Sequence, residues 1–93
     1  MSMERLDDDT ITNRLRELDG WKRDGDSIKK SYTFDSFLDA ISFINRIADL
    51  AEEADHHPEI FNVYDKVDLE LTTHDADGLT DKDFNLAMQI DEG

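Results

Sequence analysis

The chain has 93 residues and is strongly acidic, with 24 Asp and Glu against 10 Lys and Arg and a net charge of −14. A chain of this length buries only roughly 60–65% of the surface of its unfolded form, so we expect one domain over residues 1–93 that associates with further copies of itself. The acidic field repels phosphate backbones and argues against direct nucleic-acid binding. Because the chain has no cysteine, a disulfide framework and a thiolate zinc site are both excluded.

Two further features of the composition bear on where the protein works. No apolar run is long enough to cross a bilayer, and the segment Met1 to Asp9 is acidic, unlike a signal peptide, so we expect a soluble cytoplasmic protein. The acids, 17 of them Asp, are dispersed along the chain, and there are only 5 lysines. This pattern predicts a halophile-like surface that works in concentrated salt, where screening removes self-repulsion; the alternative is an ordinary acidic surface.

The first elements in chain order are a helix and a hairpin. Thr10 to Leu18 carries apolar residues at helical spacing and is followed by Asp19-Gly20 as a stop signal. Trp21 to Arg23 and Ser27 to Phe34 then flank Asp24-Gly25, which is a strong signal for a tight hairpin turn.

The longest predicted helix, Ser36 to Ala54, carries two apolar stripes. A helix that lies on a sheet with its other side in water needs only one stripe, so two stripes predict that a second body covers it. We therefore expect a homodimer or homotetramer assembled through helix 36–54; the alternative is a wide apolar face inside a tightly wrapped monomer. The first stripe is Phe37, Ile41, Ile44, Ala48 and Ala51, and the second is Ala40, Phe43, Ile47, Leu50 and Ala54.

A second hairpin and a last helix complete the chain. Val67 to Thr73 alternates apolar and polar residues, as a half-buried antiparallel strand does, and Ile60 to Val63 precedes it. If the loop is Tyr64 to Lys66, Phe61 and Val63 join the apolar face. After a turn over Asp75 to Gly78, Thr80 opens a helix whose predicted inward residues are Phe84, Ala87 and Met88. This order predicts an α+β two-layer sandwich, a four-stranded antiparallel sheet with helices on one face.

All three histidines fall within nineteen residues, at His56, His57 and His74. A hairpin that turns about Asp65 places His74 opposite His56, and a two-residue loop Asp65-Lys66 places it opposite His57, so either register brings the three imidazoles to one end of the sheet. Pro58 biases His57 toward extended backbone. Since adjacent residues of an extended chain point to opposite sides, His56 and His57 are expected to play different parts.

Two carboxylates are expected beside these histidines. Glu52 lies one helical turn before His56 and faces the same way if the helix persists, and Asp83 lies in the first turn of the last helix. Imidazoles exchange protons near neutral pH, so this group suits the loss of water, which needs one proton donor and one acceptor. The alternatives are surface histidines together by chance, a zinc site with three nitrogen ligands, and a capping role for Asp83 with Thr80 as N-cap.

The run EEADHHPEIFNVYDKVDLELTTHDADGLTDKDFNLA, from Glu52 to Ala87, resembles the signature of the pterin-4a-carbinolamine dehydratases. The resemblance implies a four-stranded antiparallel sheet, dimers or tetramers assembled largely through helices, and no metal or organic cofactor. The implied reaction dehydrates a 4a-hydroxytetrahydropterin to the quinonoid dihydropterin. It also implies site residues, with His56, His57 and His74 as acid/base groups, Glu52 and Asp83 orienting them, and Pro58 and the backbone of Thr73 to Asp75 lining the pterin pocket.

Among the three, we expect His57 and His74 to move the protons and His56 to position or assist them. Ile60 and Asp68 depart from the family pattern, since many members carry an aromatic residue at the first position and some a histidine at the second. These departures bear on substrate detail more than on reaction type. The alternative function is a non-catalytic dimerisation or partner-binding protein of the same fold, because some animal members also act as dimerisation cofactors of a transcription factor.

Overall fold

The computed structural model describes residues 4–92, so residues 1–3 and 93 of the predicted domain lie outside it. The described part folds into three α-helices, a short 3-10 helix and one antiparallel sheet with strand order β1-β2-β4-β3. The predicted α+β fold is therefore confirmed. In chain order the elements are α1 (Asp8–Arg16), β1 (Lys22–Asp24), β2 (Ser27–Thr33), α2 (Phe37–Ala54), β3 (Glu59–Val63), β4 (Lys66–Leu71), the 3-10 helix (His74–Ala76) and α3 (Asp81–Glu92).

Capping residues set the ends of the first two helices. Asp7 caps α1 by accepting a hydrogen bond from the Thr10 amide at 2.8 Å, so this helix begins two residues earlier than predicted. Ser36 caps α2 as predicted. That helix ends at Ala54 because Asp55 adopts a left-handed backbone with φ of 51°.

The core lies between one face of the sheet and the helices. Ile28 of β2 and the alternating residues Val67, Leu69 and Leu71 of β4 are buried on that face, as the alternation predicted. Helix α3 contributes Phe84, Leu86, Ala87 and Ile90. The prediction that Met88 points inward is wrong, because α3 is rotated to bury the neighbouring Leu86 and Ile90, which leaves Met88 40% exposed.

The two apolar stripes of α2 have different environments. The second stripe packs on the sheet, where Ala40 and Ile47 are fully buried. The first stripe is divided, because Ala51 is 3% exposed and Ile44 packs against the core, whereas Phe37 is 45% exposed and Ala48 is exposed. Thus the core covers the second stripe and part of the first, and the residues of the first stripe that remain exposed, Phe37 and Ala48, form an outer stripe on the helix.

The turn of the second hairpin differs from both predicted turns. Val63 pairs with Lys66, so the turn consists of Tyr64 and Asp65, and Lys66 already belongs to β4. Tyr64 makes this short turn possible by taking a left-handed backbone with φ of 53°. The Asn62 side-chain amide supports it by donating to the carbonyl oxygens of Tyr64 and Lys66 at 3.2 and 2.8 Å.

This register changes which residues of β3 face the core. Ile60 pairs with the buried Leu69 and lies on the inner face. Phe61 and Val63, which were predicted on the apolar face if the loop were Tyr64 to Lys66, lie on the outer face and are 63% and 55% exposed. A shift of one residue has this effect because successive strand residues point to opposite faces of a sheet.

No helix in residues 4–92 is long and apolar enough to cross a membrane.

Candidate active site

The three histidines line one cavity of about 330 Å³. A cavity of this size is at the small end of the range that holds organic ligands. The predicted convergence of the three imidazoles is therefore confirmed. The lining residues are Asp55, His56, His57, Thr72, Thr73, His74, Asp75 and Lys82.

The histidines converge by a different route from the one predicted. The ladder ends at the pair Glu59 and Glu70, and the same register continued past it leads to Thr73, and not His74, opposite His56. Thr73 instead pairs with Gly78 in an isolated bridge, which closes a loop that starts with the 3-10 helix at His74. Both predicted pairings of His74 are wrong, but the closed loop still holds His74 at the cavity, where it is exposed.

His56 is held by a buried carboxylate. Its Nε2 lies 2.6 Å from Oδ1 of Asp83, and the two residues are 9% and 0% exposed. The second oxygen of Asp83 accepts from the Thr73 hydroxyl at 2.8 Å and from the Thr80 amide at 3.0 Å. A carboxylate with these donors is best satisfied when Nε2 of His56 carries the proton, which leaves Nδ1 as the acceptor nitrogen of the ring.

Asp83 also caps α3, the alternative role that its position after Thr80 indicated. Thr80 is the N-cap, its hydroxyl accepting from the Lys82 amide at 3.2 Å while its own amide donates to Asp83. Leu79 and Phe84 on either side of this box are each 1% exposed, the arrangement of a hydrophobic staple. The same carboxylate therefore fixes the helix start and the orientation of His56.

His57 pairs with Glu52 through its Nε2 atom. The prediction that Glu52 faces His56 is wrong, because the helix stops at Ala54 and the left-handed Asp55 redirects the chain. The side chains of His57 and Glu52 are 58% and 76% exposed, so the contact orients the ring but adds little to stability. His56 and His57 thus lie in different environments, as their adjacency predicted.

Three cavity residues were not singled out from the sequence, namely Asp55, Thr72 and Lys82. Their only sequence signal is adjacency, since each lies next to a predicted site residue. Pro58 was predicted to line the pocket but is not among the lining residues, whereas Thr73 and Asp75 are. Within residues 4–92, His, Asp and Glu side chains form no group of three with the geometry of a metal site.

A scan of family models matches residues 4–93 to the family described as pterin 4 alpha carbinolamine dehydratase. Curated relatives carry the name of this family. One from Thermomicrobium roseum is 50% identical to this chain over 97% of both chains, and one from Roseiflexus sp. is 54% identical over 95% of both. A relative from Halobacterium salinarum is 48% identical over 96% of both chains.

Solved structures agree with the fold. The chain superposes with a TM-score of 0.92 and 37% identity on a structure described as a transcriptional coactivator/pterin dehydratase from Brucella melitensis, covering 96% of this chain and 97% of that one. A pterin dehydratase-like RuBisCO assembly factor of the alpha-carboxysome shares the fold, with a TM-score of 0.66 and 23% identity over 80% of this chain and 88% of that one. The chain belongs to the pterin 4 alpha carbinolamine dehydratase family.

Proposed function

We propose that this chain dehydrates a 4a-hydroxytetrahydropterin to the quinonoid dihydropterin by histidine acid/base catalysis. In the reaction the 4a-hydroxyl takes a proton as its C–O bond breaks, and it leaves as water. The proton on N5 is removed, and its bonding pair forms the double bond between N5 and C4a. One proton is given and one is taken, so the net reaction needs no redox partner.

The observation that carries the proposal is that three imidazoles line one cavity, two of them paired with separate carboxylates. Such a cavity offers both a donor and an acceptor at neutral pH, and positioned groups of this kind typically accelerate proton transfer by about 10²–10⁴-fold. The family supports the same reaction.

We assign the proton transfers to His57 and His74, which are exposed and can reach a bound substrate. His56 is 9% exposed and tied to Asp83, so its part is to fix the wall of the cavity and to present Nδ1 as an acceptor. Glu52 orients His57. Backbone and side chains of Thr73 and Asp75 complete the pocket for the ring.

The test is the rate of loss of 4a-hydroxytetrahydropterin generated in the cuvette. We expect purified protein to accelerate it, a chelator to leave the rate unchanged, and a His57→Ala/His74→Ala double variant to lose at least about 10²-fold in kcat. Because both side chains are exposed, the variant should unfold at the same denaturant concentration as the parent protein. A folded parent protein that leaves the spontaneous rate unchanged in concentrated salt would contradict the proposal.

The outer stripe of α2 favours a second function, association through that helix. Phe37 of this stripe and the neighbouring Leu38, which belongs to neither stripe, are 45% and 74% exposed, so the start of the helix presents an apolar patch to solvent. Self-association into a dimer or tetramer is the proposed state, and a protein partner on the same face is the alternative. Light scattering should show an oligomer that a Phe37→Asp/Ala48→Asp variant disrupts. Asn45→Asp, which adds charge at an exposed polar position of the same helix, should leave it intact.

A further inference from the structure

Among residues 4–92, His74 is the histidine of the cavity that no carboxylate holds. His56 is paired with Asp83 and His57 with Glu52, whereas the side chain of His74 makes no hydrogen bond or ion pair in this part of the chain. The position of the His74 imidazole therefore depends on the backbone of its own loop.

The loop from Thr73 to Gly78 is held by only a few backbone hydrogen bonds of its own. The amides of Thr73 and Gly78 each donate to the carbonyl oxygen of the other, at 3.1 and 3.3 Å. The amides of Ala76 and Asp77 donate to the carbonyl oxygens of Thr73 and His74, at 3.1 and 3.0 Å. Because His74 and Asp77 are exposed, core packing does not anchor the middle of the loop. Segments of this kind open locally at a lower free energy than the strands of the core.

The N-terminal segment supports this loop from outside. The Leu6 amide donates to the carbonyl oxygen of Leu79, directly after the loop, at 2.8 Å. The Arg5 side chain lies across Gly78, where a Cβ would be 2.8 Å from Nε and 3.0 Å from both Cδ and Cγ of Arg5. The Arg5 guanidinium then reaches the carboxylate of Asp26, in the turn between β1 and β2, at 3.2 Å.

The space beside Gly78, and not its backbone, accounts for the glycine. Gly78 is buried and does not have a positive φ, in contrast to Gly20 and Gly25. The three atoms nearest to an added Cβ all belong to Arg5, so the stem of Arg5 fills the place of a side chain at residue 78.

Resting on the proposed function, we propose that Arg5 is a positioning residue, whose stem packs on Gly78, keeps the loop closed and so holds His74 at the bound pterin. The contact is made through the carbon stem, which packs on neighbouring atoms whatever the state of the charged end. It should therefore persist in concentrated salt, where the exposed ion pair with Asp26 is screened.

The first measurement is steady-state kinetics of the full chain on 4a-hydroxytetrahydropterin in concentrated KCl. Arg5→Ala should lower kcat at least about 10-fold and change KM by less than about 3-fold, because misplacing a reacting group by about 1 Å can slow a reaction about 10²-fold. Arg16→Ala is the matched control, since it removes the same charge from an exposed side chain that bonds only to Asn13, at 3.4 Å; it should keep the parent kcat. Asp26→Asn breaks the ion pair but leaves the stem of Arg5 in place, so kcat should fall less than about 2-fold.

Gly78→Ala tests the contact from its other side. It adds a Cβ against the Arg5 stem, and it should lower kcat about as much as Arg5→Ala does. In the Arg5→Ala background the added Cβ has no Arg5 stem to displace, so the double variant should have the kcat of Arg5→Ala alone. Non-additivity of this kind is expected of residues in direct contact.

Amide hydrogen exchange, followed by NMR, reports on the loop without any reaction. In Arg5→Ala the amides of Ala76 and Asp77 should exchange at least about 10-fold faster than in the parent protein, while amides of β4 keep their rate. Arg16→Ala should leave both sets of amides unchanged.

The outcomes separate this inference from the proposed function. Arg5→Ala with the kcat and loop exchange of Arg16→Ala overturns the inference, and so does a Gly78→Ala loss that is undiminished in the Arg5→Ala background. A loss in Arg5→Ala that appears equally in kcat and in the folded fraction, with exchange raised in β4 as well, also overturns it, because Arg5 would then only stabilise the domain. A parent protein that does not accelerate dehydration, but whose loop amides respond to Arg5→Ala as expected, overturns the proposed function and leaves Arg5 as the residue that holds the loop.

Discussion

Replacing the buried carboxylate of Asp83 tests how much of this site is held by one side chain. Asp83 is fully buried and accepts from His56, Thr73 and the Thr80 amide at 2.6, 2.8 and 3.0 Å. Asp83→Asn retains an acceptor oxygen for Thr73 and Thr80, but its amide places N–H groups against Nε2 of His56. The charge-assisted hydrogen bond is then lost, and a weaker neutral one can replace it when the imidazole moves its proton to Nδ1.

The expected loss in free energy of unfolding is about 2 kcal/mol for Asp83→Asn, since a hydrogen bond to a charged group contributes about 1.5–3 kcal/mol. For Asp83→Ala three buried donors lose their acceptor, and we expect about 3–6 kcal/mol. A domain of this size is stable by roughly 5–14 kcal/mol, so the alanine variant approaches the limit of folding. Urea unfolding followed by circular dichroism measures both values.

Asp81→Asn is the matched control, because it removes a carboxylate from the same first turn of α3. Its side chain is 69% exposed and pairs with Arg14 at 2.6 Å, so the expected cost is below about 1 kcal/mol. Nitrogen-15 NMR of His56 gives a second measurement, since Asp83→Asn should shift the ring toward the Nδ1–H tautomer. An unfolding free energy for Asp83→Asn equal to that of Asp81→Asn, with an unchanged tautomer, would refute the reasoning.

Three further predictions concern the stability of the domain. Asp91→Ala should lower the free energy of unfolding by about 2–4 kcal/mol and shift Trp21 fluorescence to the red. The reason is that Asp91 accepts hydrogen bonds from the Trp21 indole, Lys30 and the Tyr32 hydroxyl at 2.8, 3.2 and 2.7 Å. An unshifted spectrum would contradict this. Burial, and next the hydrogen bond to Asp91, raise the pKa of Tyr32 above its usual range. The unfolded phenol ionises near pH 10, so stability should fall as pH rises above about 10, and Tyr32→Phe should flatten that fall in unfolding curves between pH 8 and 12. The net charge of −14 predicts that the urea midpoint rises as KCl is raised from about 0.1 to 2 M; a constant midpoint would indicate an ordinary acidic surface.

Local signals in the sequence determined much of the fold. Ser36 and Thr80 start helices because short polar side chains satisfy free amides wherever they precede an apolar stripe. The alternation of Val67, Leu69 and Leu71 placed β4 correctly, since side chains of a strand repeat every two residues and only one face is buried. The clustering of three histidines around the second hairpin also followed from the sequence, because any short turn brings the ends of the hairpin together.

Only the tertiary structure decided the pairings inside the site. The turn at Tyr64 and Asp65 lacks glycine, so no local sequence signal predicted that Tyr64 is left-handed. That conformation shifts the register of β3 by one residue and places Phe61 on the outer face. A left-handed residue also decides which carboxylate pairs with which histidine. Because Asp55 is left-handed, His57 contacts Glu52, and His56 contacts the buried Asp83. Sequence periodicity specifies which face of a helix or strand is apolar. Which side chains contact each other depends on single backbone angles at the junctions between elements, and the packing of the whole domain determines those angles.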